Sequence, residues 1–142
     1  SYVRGNFNNA VDHSNNLPNI PPFRWLSEIK YEFGNSTNNK NNYISVQLDN
    51  VSSQDNPFTG YHTETATPGY SLLNIGMGTH LKHNGKPLCT LTLVAQNLTD
   101  VAYQNHLSRL KYTDENLTTG RTGVYNMGRN FSIKLNVPLV FD

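Results

Sequence analysis

The chain has 142 residues, and its eleven basic and ten acidic side chains give a net charge of +1, which leaves no electrostatic footprint for nucleic acid. A mean hydropathy of −0.57, with no apolar run of about 18 residues, excludes a spanning helix. It does not exclude a spanning barrel, whose alternating strands average to a modest hydropathy. One cysteine, Cys89, forbids a disulfide within the chain and reads as a small packing residue.

The opening Ser1–Gly5 lacks the charged region and apolar core of a signal peptide and reads as a short extended start. Residues 5–22 are rich in Asn, a residue that favours turns, and end in Leu17-Pro18-Asn19-Ile20-Pro21-Pro22. The stretch is expected to be a long loop, because prolines there forbid a helix or a central strand. Residues 23–33 then alternate, with Phe23, Trp25, Ile29, Tyr31 and Phe33 facing one way and Arg24, Glu28, Lys30 and Glu32 the other. A turn over 34–42 precedes a strand at 43–53, where Ile44, Val46 and Leu48 oppose Tyr43, Ser45 and Gln47.

A polar loop, 54–68, leads to a strand at 70–82 with Leu73, Ile75, Met77 and Leu81 on one face. Gly76 and Gly78 on the other face mark a tight bend or a close approach of neighbouring chain. The Asn84-Gly85 pair within 83–87 predicts a tight hairpin into a strand at 88–98. The longest connection, 99–125, follows, and within it only 101–112 could wind into a turn or two of helix. The last strand is placed at 126–141, with Met127, Phe131, Ile133, Leu135, Val137, Leu139 and Phe141 on one face and Arg129 interrupting it. That span exceeds the usual strand of about 5–6 residues and suits the roughly 9–11 that cross a bilayer at a tilt. The fold class is therefore all-β, an antiparallel up-and-down meander.

Connection lengths alternate: 99–125 is long, 83–87 short, 54–68 long, 34–42 intermediate and 5–22 long. Short periplasmic turns alternating with longer extracellular loops are the scheme of outer-membrane barrels.

No acid/base set, nucleophile motif, phosphate loop or dinucleotide fingerprint is present, so neither an enzyme nor a cofactor is expected. His80 and His83, three apart on a strand, point to opposite faces and do not converge on a metal. Asn-x-Ser/Thr sequons at Asn35, Asn50, Asn97, Asn116 and Asn130 are what chance supplies in so Asn-rich a chain, and glycosylation is the weaker reading. Tyr103, His106, Arg109, Lys111 and Arg121, with Tyr112, crowd into 99–125. They are read either as an ordinary solvated loop or as donors to an anionic or hydroxyl-rich ligand at the mouth of a barrel.

Five stretches in order carry a resemblance to a family: Leu17-Pro-Asn-Ile-Pro-Pro-Phe-Arg24, Glu64-Thr-Ala-Thr-Pro-Gly-Tyr-Ser-Leu-Leu-Asn74, Val94-Ala-Gln-Asn-Leu-Thr-Asp100, Tyr103-Gln-Asn-His-Leu-Ser-Arg-Leu-Lys111 and Gly128-Arg-Asn130. With the amphipathic strand ending in Phe141, nearly the whole chain resembles the C-terminal end of a TonB-dependent outer-membrane receptor, in a form similar to those of Bacteroidetes-type bacteria. The resemblance implies the last five to six strands of a transmembrane barrel of 22 strands with a plugged lumen. It implies a bacterial outer-membrane location and active uptake of a scarce small-molecule ligand such as a siderophore, haem, cobalamin or glycan. Outer-membrane lipid is then the surrounding partner, the TonB system acts through an N-terminal part and plug outside this chain, and Phe141 is the barrel-assembly signal.

Five such strands alone would expose two bare edges and an apolar face, so the isolated chain is expected to curl, pair into a dimer or swapped assembly, or aggregate. The alternative is a secreted soluble β-sandwich that binds carbohydrate through its loops. A sandwich would bury Phe131, Ile133, Leu135 and Val137 under a second sheet, whereas a barrel shows them to lipid.

Overall fold

A computed structural model describes residues 1–34, 40–83 and 86–138 of the chain. Its strands are β1 (Asn6–Val11), β2 (Ser14–Asn16), β3 (Arg24–Phe33), β4 (Lys40–Val51), β5 (Tyr70–His83), β6 (Lys86–Gln96), β7 (Glu115–Asn116), β8 (Arg121–Thr122) and β9 (Asn130–Asn136). The described residues hold no α-helix, and Gly60–His62 and Arg109–Tyr112 each form one 3-10 turn. The principal sheet has the order β3-β4-β5-β6-β9, an open meander and not a closed barrel. Both registers described in full, β5 with β6 and β6 with β9, are antiparallel.

The chain divides into two compact units. One, the sheet unit, comprises 26–49, 72–100 and 129–142. Its register places Ile75, Met77 and Leu81 opposite Ala95, Leu93 and Cys89, and places Leu91, Leu93 and Ala95 opposite Leu135, Ile133 and Phe131. Directly paired residues share a face, so these positions make one apolar surface across three strands. Nothing among the described residues covers it: Phe131 is 69% exposed, Ile133 76% and Leu135 62%. Ile29 on β3, at 78%, is equally bare. The second sheet that a sandwich requires does not lie over them.

The opposite face is polar and internally bonded. Asn74 donates to Gln47 at 2.9 Å, His80 Nδ1 meets Thr90 Oγ1 at 3.1 Å, and Lys30 pairs with Glu32 at 2.6 Å while lying 4.6 Å from the centre of the Tyr43 ring. The strand-interior glycines belong here. A Cβ on Gly76 would come 2.8 Å from Ser45 Oγ, and one on Gly78 would overlap the Tyr43 ring. Their role is close approach, one of the two readings open from sequence. At the far end of β5 the partners His83 and Lys86 flank Asn84-Gly85, the predicted hairpin turn, which lies outside the described residues. Next to it the register shifts by one residue, because Leu81 faces Cys89 but Lys82 faces Pro87, which has no N–H to offer the ladder.

The other unit comprises 1–25, 50–71 and 101–128, and gathers the three long connections into one body. Residues 5–22, expected to be loop throughout, contain the β1–β2 hairpin. Val11 pairs with Ser14, and Asp12 and His13 between them have φ of 45° and 64°. Two successive left-handed residues make the two-residue turn that suits strand twist, so the Asn-rich sequence was compatible with a hairpin as well as a loop. Phe7 packs edge-on against Phe58 at 6.0 Å, and Gln54 and Thr67 exchange both backbone hydrogen bonds. Among the described residues Val51 and Phe58 are the buried large apolar side chains of this unit, and neither is wholly enclosed.

The final strand is shorter than its alternation suggests. It begins at Asn130, because Asn126 N–H donates to Tyr103 O at 2.9 Å and Arg129 N–H to Asp100 Oδ1 at 2.8 Å, both away from any ladder. Met127 and Arg129 are consequently not residues of that strand's apolar face. Leu139 and Phe141 lie outside the described residues.

Candidate functional site

The densest group of polar side chains is in the loop unit, where residues 64–67 meet 106–112. The Arg109–Tyr112 turn sends Lys111 inward while leaving Arg109 in solvent. Lys111, 7% exposed, donates from Nζ to Thr67 Oγ1 at 2.6 Å and to Thr65 O at 2.9 Å. His106, 5% exposed, places Nδ1 at 2.9 Å from Thr67 Oγ1 and 3.4 Å from Lys111 Nζ. Its Nε2 is 3.8 Å from Glu64 Oε2.

These contacts assign the protons. Lys111 has only donors, and its Nζ lies 3.4 Å from His106 Nδ1 as well as 2.6 Å from Thr67 Oγ1, so a hydrogen on Nδ1 would face the ammonium, and the arrangement favours Nδ1 accepting the Thr67 hydroxyl hydrogen. Nδ1 is therefore the acceptor, and the imidazole proton sits on Nε2, facing the carboxylate. Burial pushes the His106 pKa below the ordinary 6.5; the Lys111 charge pushes the same way, and Glu64 opposes. The shift favours the neutral imidazole. Glu64 completes the group by accepting from Asn19 N–H at 2.7 Å and Phe58 N–H at 3.1 Å. One carboxylate thus ties residue 19, residue 58 and His106 together, and Tyr112 Oη accepts from Thr65 N–H at 3.3 Å.

Beside this cluster is a cavity of about 300 Å3. Phe58, Pro18 and Leu107 give it apolar walls, Glu64 and His106 border it, and Ser108, Arg109 and Tyr112 bring polar groups.

Of the residues singled out from sequence, His106, Arg109 and Lys111 come together here, with Lys111 as a buried tie and Arg109 as the exposed charge. Tyr103 stands apart, its ring 4.3 Å from that of Tyr70. Arg121 is exposed on β8 with its guanidinium carbon 5.1 Å from the centre of the Tyr125 ring. Phe141 lies outside the described residues. The sequence reading missed Glu64, Thr67 and Phe58 as members of this group. A signal existed for Glu64, which is the one acidic residue between Asp55 and Asp100.

A second polar device lies in the sheet unit. Asn97, buried with φ of 48°, accepts at its carbonyl from Asp100 N–H at 2.8 Å and donates its own N–H to Asn74 Oδ1 at 2.9 Å. Asp100, φ 56°, then holds Arg129 N–H immediately before β9. The Asn-Leu-Thr-Asp stretch is thus a turn that ends β6 and fixes where β9 begins.

No metal-binding group of three or more His, Cys, Asp or Glu side chains occurs among the described residues. No described helix is long and apolar enough to cross a membrane, which says nothing of strands. Comparison of the chain with protein-family models, curated proteins and solved structures returns no match.

Proposed function

We propose that this chain is barrel wall and surface loops of a TonB-dependent-type outer-membrane receptor, with the sheet in lipid and the loop unit outside the cell receiving a scarce ligand for uptake. The observation that carries the reading is the uncovered apolar face of β9, Phe131, Ile133 and Leu135, backed by the polar face of Ser132, Lys134 and Asn136. Water does not tolerate such a face on a solitary protein, but hydrocarbon does, provided that the strands are hydrogen-bonded on both sides. The outer edges of β3, met at Arg24 by Ser1, and of β9 would then pair with further strands of the same wall, as closure demands. The gathering of 1–25, 50–71 and 101–128 into one unit agrees with long connections that share one side of a membrane. The receptor works by binding and passage, without catalysis.

Nitroxide labels placed singly at Ile133 and Lys134 in the intact gene product, assembled in outer membrane on a Cys89→Ala background, test this. The label at 133 is expected to be relaxed by oxygen dissolved in lipid, and the label at 134 by a water-soluble nickel complex. Equal access of both labels to the nickel complex would end the proposal.

A further inference from the structure

The cavity beside Glu64 and His106 has a charge balance that selects its occupant. Glu64 is negative but satisfied, with Asn19 and Phe58 N–H groups on its oxygens. Lys111 is spent on Thr65 and Thr67, and burial favours the neutral form of His106. Arg109 remains. It is exposed, lines the cavity, and has no hydrogen bond or ion pair among the described residues. The charged side chains that line the cavity are therefore Glu64, whose oxygens are already occupied, and Arg109, which is uncommitted, so the place for an anion is beside Arg109.

The walls fix the rest of the ligand. Phe58 is buried behind the cavity, and Leu107 and Tyr112, 48% and 42% exposed, form an apolar rim. The Tyr112 hydroxyl accepts from Thr65 N–H, so its own hydrogen is free to donate, and Ser108 also lines the cavity. A guanidinium fork and hydroxyl donors lining one cavity match two coplanar oxygens, and apolar walls match a hydrocarbon body. A phosphate dianion would need a second free cation, which the cavity lacks.

We propose that this cavity binds a small organic carboxylate, with Arg109 and the Tyr112 hydroxyl on the carboxylate and Phe58, Leu107 and Pro18 around the apolar part. A volume of about 300 Å3 is at the lower end of ligand pockets, which limits the buried portion to roughly one ring or a short branched chain. The assignment deepens the receptor reading by giving its loop unit a ligand class and rests on that reading for its biological role. The site lies wholly in one unit, so binding and membrane insertion fail or succeed separately.

The test uses the intact gene product in detergent micelles, titrated with 4-fluorophenylacetate and, in parallel, with neutral 4-fluorophenylacetamide, both followed by fluorine NMR. The acid is expected to bind saturably and to shift the His106 ring resonances, with the amide about tenfold weaker or worse. Arg109→Gln is expected to cost about tenfold or more in affinity, Arg109→Lys less, and Arg121→Gln nothing. Because Arg109 is exposed and uncommitted, its variants should fold, and unchanged thermal melting confirms that. A dipeptide ending in phenylalanine separates the sources: tighter binding than the acid assigns a polypeptide C-terminus, weaker binding a free acid. Equal affinity of acid and amide, an unaffected Arg109→Gln, displacement by inorganic phosphate, or absence of saturation would each overturn the assignment.

Discussion

Lys111 Nζ and Thr67 Oγ1 lie 2.6 Å apart in a site closed to solvent, joining two stretches 44 residues apart in sequence. Lys111→Met keeps the length of the stem and deletes the charge. Thr65 O and Thr67 Oγ1 then lose their donor. Hydrogen bonds to charged groups contribute about 1.5–3 kcal/mol each, and replacement by an apolar stem of similar shape recovers part of that. A net loss of about 2 kcal/mol is expected in urea unfolding of the loop unit. The same substitution should raise the His106 pKa, since the Lys111 charge helps hold it down, and imidazole NMR reads that independently of stability.

His106 makes stability depend on pH in one direction. Its folded pKa is depressed, by burial first and by Lys111 second, so between the ordinary 6.5 and that lower value the unfolded chain binds a proton that the folded chain refuses. The contribution is complete above pH 6.5 and is lost as pH falls through the folded value. Melting temperatures of the loop unit should therefore drop as the buffer is taken below pH 6.5. His106→Gln should flatten that part of the profile while costing about 1–3 kcal/mol at pH 7 for the disturbed bonds. An unchanged slope in the variant would assign the dependence to another group.

Gly78 is occupied from above by the Tyr43 ring. A strand glycine replaced by alanine ordinarily gains a little stability. Here Gly78→Ala should instead cost about 1–3 kcal/mol, because the added methyl displaces a packed ring. Tyr43→Ser in the same chain should return most of it. A double-mutant cycle showing no coupling between positions 43 and 78 would contradict the contact.

Adjacent residues of β9 should respond oppositely to charge in a membrane. Ile133→Arg is expected to cost roughly 2–4 kcal/mol if residue 133 is near the bilayer midplane, whereas Lys134→Ala on the polar face should cost little. Heat-modifiable mobility on gels gives the folded fraction of each. Equal tolerance at both positions would contradict a lipid-facing side.

The strand content of this protein was written into period-two alternation. Residues 23–33, 43–53, 70–82 and 88–98 each carry a pattern that a helix would scatter, and each corresponds to one of the strands β3 to β6. Sequence determined these strands locally, since side-chain direction in an extended chain depends only on odd or even position. It could not place the start of β9, because what stops that strand at Asn130 is a carbonyl of Tyr103 and a carboxylate of Asp100 from distant positions. Nor could it distinguish Lys111 from Arg109: two basic residues two apart have the same standing in the string, and only folding against 64–67 buried one and left the other bare. Hydrogen-bond partners 44 or more residues away leave no period behind, so the pairing of Lys111 with Thr65 and Thr67 belonged to the tertiary structure alone.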